Sequence, residues 1–186
     1  MSSYDVCLIG APSARLTAQA RALQAAGWRV GLLSDGTAPA GIELHPWPAL
    51  NHPLYRVVHA APDVGRLSHA VQLRAKRMAS TGRLSVLQNT PALIYQVNDL
   101  DSYEALLWLP EKPLIVFDML AVACAVDEAT RLPELLVYAA ALLTDRAPEA
   151  DAIQEAYGVP RPLVIPAPDD LLYSQLYARL LDHAKS

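Results

Sequence analysis

Tyr4-Asp5-Val6-Cys7-Leu8-Ile9-Gly10-Ala11-Pro12-Ser13 opens the chain, and the fold follows from how this stretch is read. Tyr4 to Ile9 is a short β-prone run that Gly10 ends. Pro12 follows, and Ser13 stands where a helix N-cap belongs. Leu16, Ala20, Leu23 and Ala26 then recur at helical spacing, and Gly27 closes the segment as a C-terminal glycine should. Trp28 to Leu33 reads as the next strand, ending at Ser34-Asp35-Gly36. Strand, tight turn, helix, glycine and strand within about 30 residues make a βαβ unit, whose two strands run parallel.

The same rhythm continues along the chain. Glu43 to Trp47 reads as a short third strand, broken by Pro46 and Pro48. Asp63 to Ser80 reads as an amphipathic helix, with Val64, Leu67, Val71, Ala75 and Met78 in one stripe and Arg66, His69, Lys76 and Arg77 opposite. Pro91 precedes a strand from Ala92 to Val97, and Asn98-Asp99-Leu100-Asp101 turns into a helix through Leu109. Leu114 to Phe117 is a further strand ending at Asp118, and Val137 to Leu143 another ending at Thr144-Asp145. Pro148 starts a helix that stops at Tyr157-Gly158. Pro162 to Pro166 is a last short strand. Asp169 opens a C-terminal helix with Leu172, Leu176 and Leu180 on one face. Ala121 to Leu136 suits a helix or a strand. About six or seven near-continuous apolar strands with helices between them predict a doubly wound parallel sheet of the α/β, Rossmann-like class. Residues 1–168 form that domain, and 169–186 a C-terminal helix packed on it.

Composition narrows the function. The chain has 186 residues, 53% hydrophobic and 18% charged, which is an ordinary globular domain and no disordered chain. Cys7 and Cys124 lie in apolar runs, which suits neither a disulfide framework nor a zinc site. No apolar stretch approaches the roughly 20 residues of a membrane span, and Met1 to Asp5 carry no secretion signal; a cytoplasmic protein is expected. The net charge of −4 conceals a division, since every acid between Asp63 and Asp99 is missing while Arg66, Arg74, Lys76, Arg77 and Arg83 fall there. Such a positive side suits an anionic partner. It is too modest, and too poor in interleaved aromatics, for nucleic acid. The basic face of 63–80 is either a solvated face or a peripheral contact with anionic lipid or phosphate.

Ligands of open parallel sheets bind beyond the carboxyl ends of the strands. Those ends carry Gly10-Ala11-Pro12-Ser13, Ser34-Asp35, Asn98-Asp99, Asp118 and Thr144-Asp145, a rim of small and polar groups suited to a hydroxyl-rich or phosphate-bearing guest. Turn chemistry alone also favours these residue types. Gly10 to Ala14 holds one glycine, so it matches neither the dinucleotide fingerprint nor the P-loop. Ser13 caps the helix, and Arg15 could reinforce an anion at its start. Asp101 and Glu104 have capping-box spacing, which leaves Asn98 and Asp99 free to accept from hydroxyls. If their strands are neighbours, Asp99 and Asp118 could form a carboxylate pair able to orient or deprotonate a hydroxyl. His59, in the loop region before the basic helix, is the one histidine retained as a site candidate. No histidine pair has metal-binding helical spacing, so no metal site is expected.

The order of these pieces resembles the N-terminal Rossmann-like domain of retaining GT-B glycosyltransferases, the family 4-like group. The likeness rests on Tyr4 to Gly10 with Gly27-Trp28-Arg29-Val30 after it, then on Ile94-Tyr95-Gln96-Val97-Asn98-Asp99-Leu100-Asp101 followed by Pro113-Leu114-Ile115-Val116-Phe117-Asp118. Ala139 to Asp145 and Ala150 to Pro160, with its Tyr157-Gly158-Val159-Pro160, complete it, ending in Val164-Ile165-Pro166-Ala167. The opening loop lacks the family's second glycine, Thr144-Asp145 stands for its usual Ser, and Ala167 for its usual Asn. The resemblance implies that Gly10, Ser13, Asn98, Asp99 and Asp118 line the acceptor side of a cleft. It implies a nucleotide-sugar as co-substrate, bound mainly by a second Rossmann domain whose place would follow the end of this chain. The chain is then expected to be a glycan, acceptor or partner-binding module, alone or as a homodimer. The alternative is the acceptor-binding subunit of a split transferase whose second subunit binds the donor.

Overall fold

The structure, a computed structural model, describes residues 3–60, 69–119, 136–167 and 171–185. Its elements in chain order are β1 (Tyr4–Ile9), α1 (Ala14–Ala25), β2 (Val30–Ser34), β3 (Glu43–Pro46), α2 (Pro53–Ala60), α3 (His69–Ala79) and α4 (Thr81–Asn89). β4 (Ala92–Val97), α5 (Leu100–Leu107), β5 (Leu114–Asp118), β6 (Ala141–Thr144), α6 (Ala147–Tyr157), β7 (Leu163–Val164) and α7 (Leu171–Lys185) follow. Among the described residues, seven strands form one sheet in the order β3-β2-β1-β4-β5-β6-β7, and every pairing is parallel. This is the doubly wound Rossmann order extended by one strand.

Strand alternation divides the core in two. Val6, Leu8, Leu32, Ile94, Val116 and Leu143 face α1 and α7, packing against Leu16, Ala20 and Leu23 of the first and Tyr173, Tyr177 and Leu181 of the second. Cys7, Ile9, Leu33, Tyr95, Val97, Ile115 and Phe117 face the other way, onto Leu87 of α4, Tyr103 and Leu106 of α5 and Ile153 of α6. Each fully buried Leu, Ile or Phe contributes about 1.5–3 kcal/mol of transfer free energy. Because both faces are covered, the inner strands β1, β2 and β5 carry no polar–apolar alternation. That is why they read as apolar runs.

Several expectations are corrected. The C-terminal helix buries Tyr173, Tyr177 and Leu181, while Leu172 is 55% exposed. Tyrosine rings reach deeper than the leucine stripe, and the buried face turns by one residue to admit them. The strand expected from Val137 starts at Ala141, since Val137 and Tyr138 lie in an exposed turn. α2 and α4 occupy stretches where no helix was expected, and His59 lies on α2 rather than in a loop. In the basic helix, Met78 is exposed and Ala75 and Ala79 are buried. Lys76 does not face solvent there, because its ammonium meets Asp101 at 2.6 Å and Glu104 at 2.9 Å. The readings for 63–68, for Cys124 and for 121–135 lie outside the described residues.

Candidate functional site

The Rossmann crevice opens where the chain leaves the central pair β1 and β4 in opposite directions, toward β2 on one side and β5 on the other. At this place Gly10 and Asn98 are in contact. A Cβ built on Gly10 would lie 2.2 Å from Asn98 Oδ1, so a larger residue there would oblige the amide to turn aside. Asn98 is partly exposed, and among the described residues no hydrogen bond engages its side chain. An amide offers both donor and acceptor, so a free one at the crevice matches the paired character of a hydroxyl group. Asp35, at the end of neighbouring β2, is exposed on the same edge.

Behind this corner lies a buried polar cluster on the α1/α7 side of the sheet. Arg15 Nε donates to Asp118 Oδ2 at 3.0 Å, and its two terminal nitrogens each reach the Ile165 carbonyl at 3.3 Å. Gln19 Nε2 donates to the same carboxylate oxygen at 2.8 Å. Asp118 Oδ1 is buried without a partner among the described residues. Gln96, two residues before Asn98 on the same face, accepts from the Tyr173 hydroxyl at 2.8 Å and from the Tyr177 hydroxyl. Burial raises both phenols well above their ordinary pKa, which keeps them protonated donors.

Other rim residues are occupied by local structure. Ser13 caps α1, accepting from Leu16 N at 3.0 Å. Asp99, not Asp101, is the N-cap of α5 and accepts from Ser102 N at 2.8 Å. Asp101 and Glu104 hold Lys76 instead of forming the expected capping box. There, burial works against the Lys76 charge, the two carboxylates outweigh it, and the net pKa is raised. The Asp99–Asp118 pair does not form, although β4 and β5 are neighbours. Asp118 faces α1, whereas Asp99 turns to α5 on the opposite side of the sheet. Trp47 Nε1 donates to Ser102 Oγ at 3.0 Å and closes that side of the edge. Thr144 is likewise engaged, donating to Glu149 at 3.1 Å. His59 is placed on α2 by its backbone, with no role assigned to it.

The structure thus joins Gly10 to Asn98 and Arg15 to Asp118, and assigns Ser13 and Asp99 to capping. The sequence reading missed Gln19, Gln96, Tyr173 and Tyr177. Gln96 had a signal, being an amide inside the apolar run Ile94 to Val97, where a buried polar group must find partners. Gln19 had a weaker one, since it stands one residue before Ala20 on the buried stripe of α1.

Strand order, parallel pairing and helices on both faces make this a Rossmann-like α/β protein. No family model and no curated protein matches the chain. Among solved structures it is similar to a Methylobacillus flagellatus protein assigned as an NAD-dependent epimerase/dehydratase, at 16% identity and a TM-score of 0.31, covering 99% of this chain and 83% of that one. A likeness at that score carries no argument about activity. Locally, Asn98 fills the space over Gly10 through which a Rossmann backbone ordinarily approaches a pyrophosphate. Among the described residues no group of His, Cys, Asp or Glu converges as a metal site, and no helix is long and apolar enough to cross a membrane.

Proposed function

We propose that this chain is a glycosyltransferase-like binding module whose Gly10–Asn98 corner receives a hydroxyl-rich ligand, a glycan or sugar acceptor. The free Asn98 amide at the crevice is the observation that carries this reading. It can donate to one hydroxyl oxygen while accepting from the next. Asp35 adds a carboxylate acceptor on the same edge. Arg15 and Asp118 serve as positioning residues, tying the first corner to the ends of β5 and β7 so that the rim is rigid before the ligand arrives. Pre-organisation of this kind lowers the ordering cost of binding.

The test is a thermal-shift and NMR titration with mono- and disaccharides and with nucleotide-sugars. Binding stabilises the native state by mass action, and Asn98→Ala should weaken a saccharide about tenfold, the worth of one hydrogen-bonding group. Saccharide binding without turnover supports the module. A complete set of saccharides that leaves both melting temperature and spectra unmoved overturns it. A second reading, the acceptor-binding subunit of a split transferase, is favoured by the exposed apolar residues Leu163 on edge strand β7 and Leu171 and Leu172 at the start of α7. Glycosyl transfer seen only on mixing with a donor-binding chain would select it.

A further inference from the structure

At the opposite, amino-terminal edge of the sheet, three side chains meet that the proposed function does not use. Tyr4 lies on β1 and Glu43 and His45 on β3, with β2 between them. The Tyr4 ring crosses β2 directly over Gly31, where an added Cβ would stand 3.1 Å from the ring. This crossing brings the phenol oxygen 2.6 Å from Glu43 Oε2 and 2.6 Å from His45 Nε2. His45 Nε2 is 3.6 Å from Glu43 Oε1. Glu43 and His45 are two residues apart on one strand and so share its face. The Tyr4 and His45 rings meet edge to face at 5.6 Å, which fixes the imidazole.

We propose that Tyr4, Glu43 and His45 form a three-ligand site for a borderline divalent metal ion of the zinc or copper type. Nitrogen and oxygen ligands at about 2.0–2.2 Å from such an ion stand roughly 3.0–3.4 Å from one another in octahedral or tetrahedral arrangement. The observed separations of 2.6, 2.6 and 3.6 Å, the first two being hydrogen bonds that the ion would replace as the phenol proton leaves to solvent, lie a few tenths of an ångström from that spacing. The imidazole and two oxygen donors match the preference of zinc and copper over calcium. Glu43 is 66% exposed and free to re-aim, whereas His45 is 22% exposed and held. Tyr4 and Glu43 also line a groove of about 310 Å³ together with Trp28 and Arg29, which leaves room for a water or an exogenous ligand on the ion. Three protein ligands with an open position are the arrangement of a working rather than a closed structural centre. The ion would also staple the short edge strand β3 to the centre of the sheet.

Isothermal titration of the full chain with Zn²⁺ should give one equivalent, weakened at least about tenfold by His45→Ala and by Glu43→Gln, with unchanged circular dichroism of the metal-free variants. With Cu²⁺, the wild type should show a phenolate-to-copper charge-transfer band that Tyr4→Phe removes. The phenylalanine ring still covers Gly31, so this variant keeps the packing. Absence of binding, equal affinity in His45→Ala, or a charge-transfer band that persists in Tyr4→Phe overturns the site. Equal affinity would mean that the ion sits elsewhere on the chain.

Discussion

Arg15 and Asp118, 103 residues apart in the chain, are joined by a 3.0 Å bond between the first helix and the end of the fifth strand. Both are mostly buried, and the guanidinium continues to the Ile165 carbonyl. One side chain therefore ties together the ends of three segments far apart in sequence.

Breaking that bond should be costly from the Arg15 side. Arg15→Ala leaves Asp118 buried with Gln19 as its single side-chain donor among the described residues, and loss of one partner of a buried pair costs about 3 kcal/mol. Urea unfolding of Arg15→Ala, Asp118→Asn and the double variant checks this. The double variant should lose less than the sum, because the two changes remove one interaction.

Gly10→Ala should destabilise the fold by no more than about 1 kcal/mol, the low end for overpacking, because the partly exposed Asn98 amide can turn aside. The three atoms nearest the added Cβ all belong to the Asn98 side chain. Gly10→Ala combined with Asn98→Ala should therefore recover most of the loss. If the pair is additive, the contact is not the cause.

Gln96→Leu should cost more than either Tyr173→Phe or Tyr177→Phe. It removes the acceptor that both buried hydroxyls share and leaves them only each other, so one hydroxyl proton is left without an acceptor, at about 1–3 kcal/mol. Each single phenylalanine removes a donor and leaves Gln96 the other, for about 1 kcal/mol. Denaturant midpoints of the three variants give the order.

Stability should fall as pH rises above about 10. Burial pushes Tyr95 up to about 12, despite the hydrogen bond it receives from the Ala92 amide. Its unfolded value is about 10, so between those two values the native state binds more protons and loses up to about 1.4 kcal/mol per pH unit. Tyr103, Tyr173 and Tyr177 are raised by burial too and act in the same direction. Lys76 adds to the trend, since its raised pKa contributes stability that is present below its unfolded value of about 10.4 and is lost as pH climbs through the folded one. Urea midpoints from pH 8 to 11, with phenolate absorbance, test the sign. A midpoint that is flat or rising through pH 11 would contradict it.

Much of the architecture was legible one element at a time. Ala92 to Val97 was read with its bounds as observed, and the β1–α1–β2 unit to within two residues. Each rests on a local period and a punctuating residue. α4 was missed because Thr81 to Asn89 buries one leucine, Leu87, and so lacks a stripe. The rim was read as a set and Ser13 as the cap that it is, but the capping role of Asp99 was given to Asp101. Asp99 and Asp101 are two residues apart and chemically alike, and the cap goes to the one whose backbone is extended, φ −136° and ψ 149°.

Parallel strands, covered faces and a polar carboxyl edge were thus written into the chain, because hydrophobic period, proline, glycine and cap residues act over a few neighbours. Which polar groups remain free on that edge was decided only on folding. Asp118 is claimed by Arg15 and Gln19, Gln96 by two tyrosines, and Tyr4 by β3, while Asn98 is left open. Hydrogen-bond partners depend on distances between segments up to a hundred residues apart, and no local pattern encodes such distances.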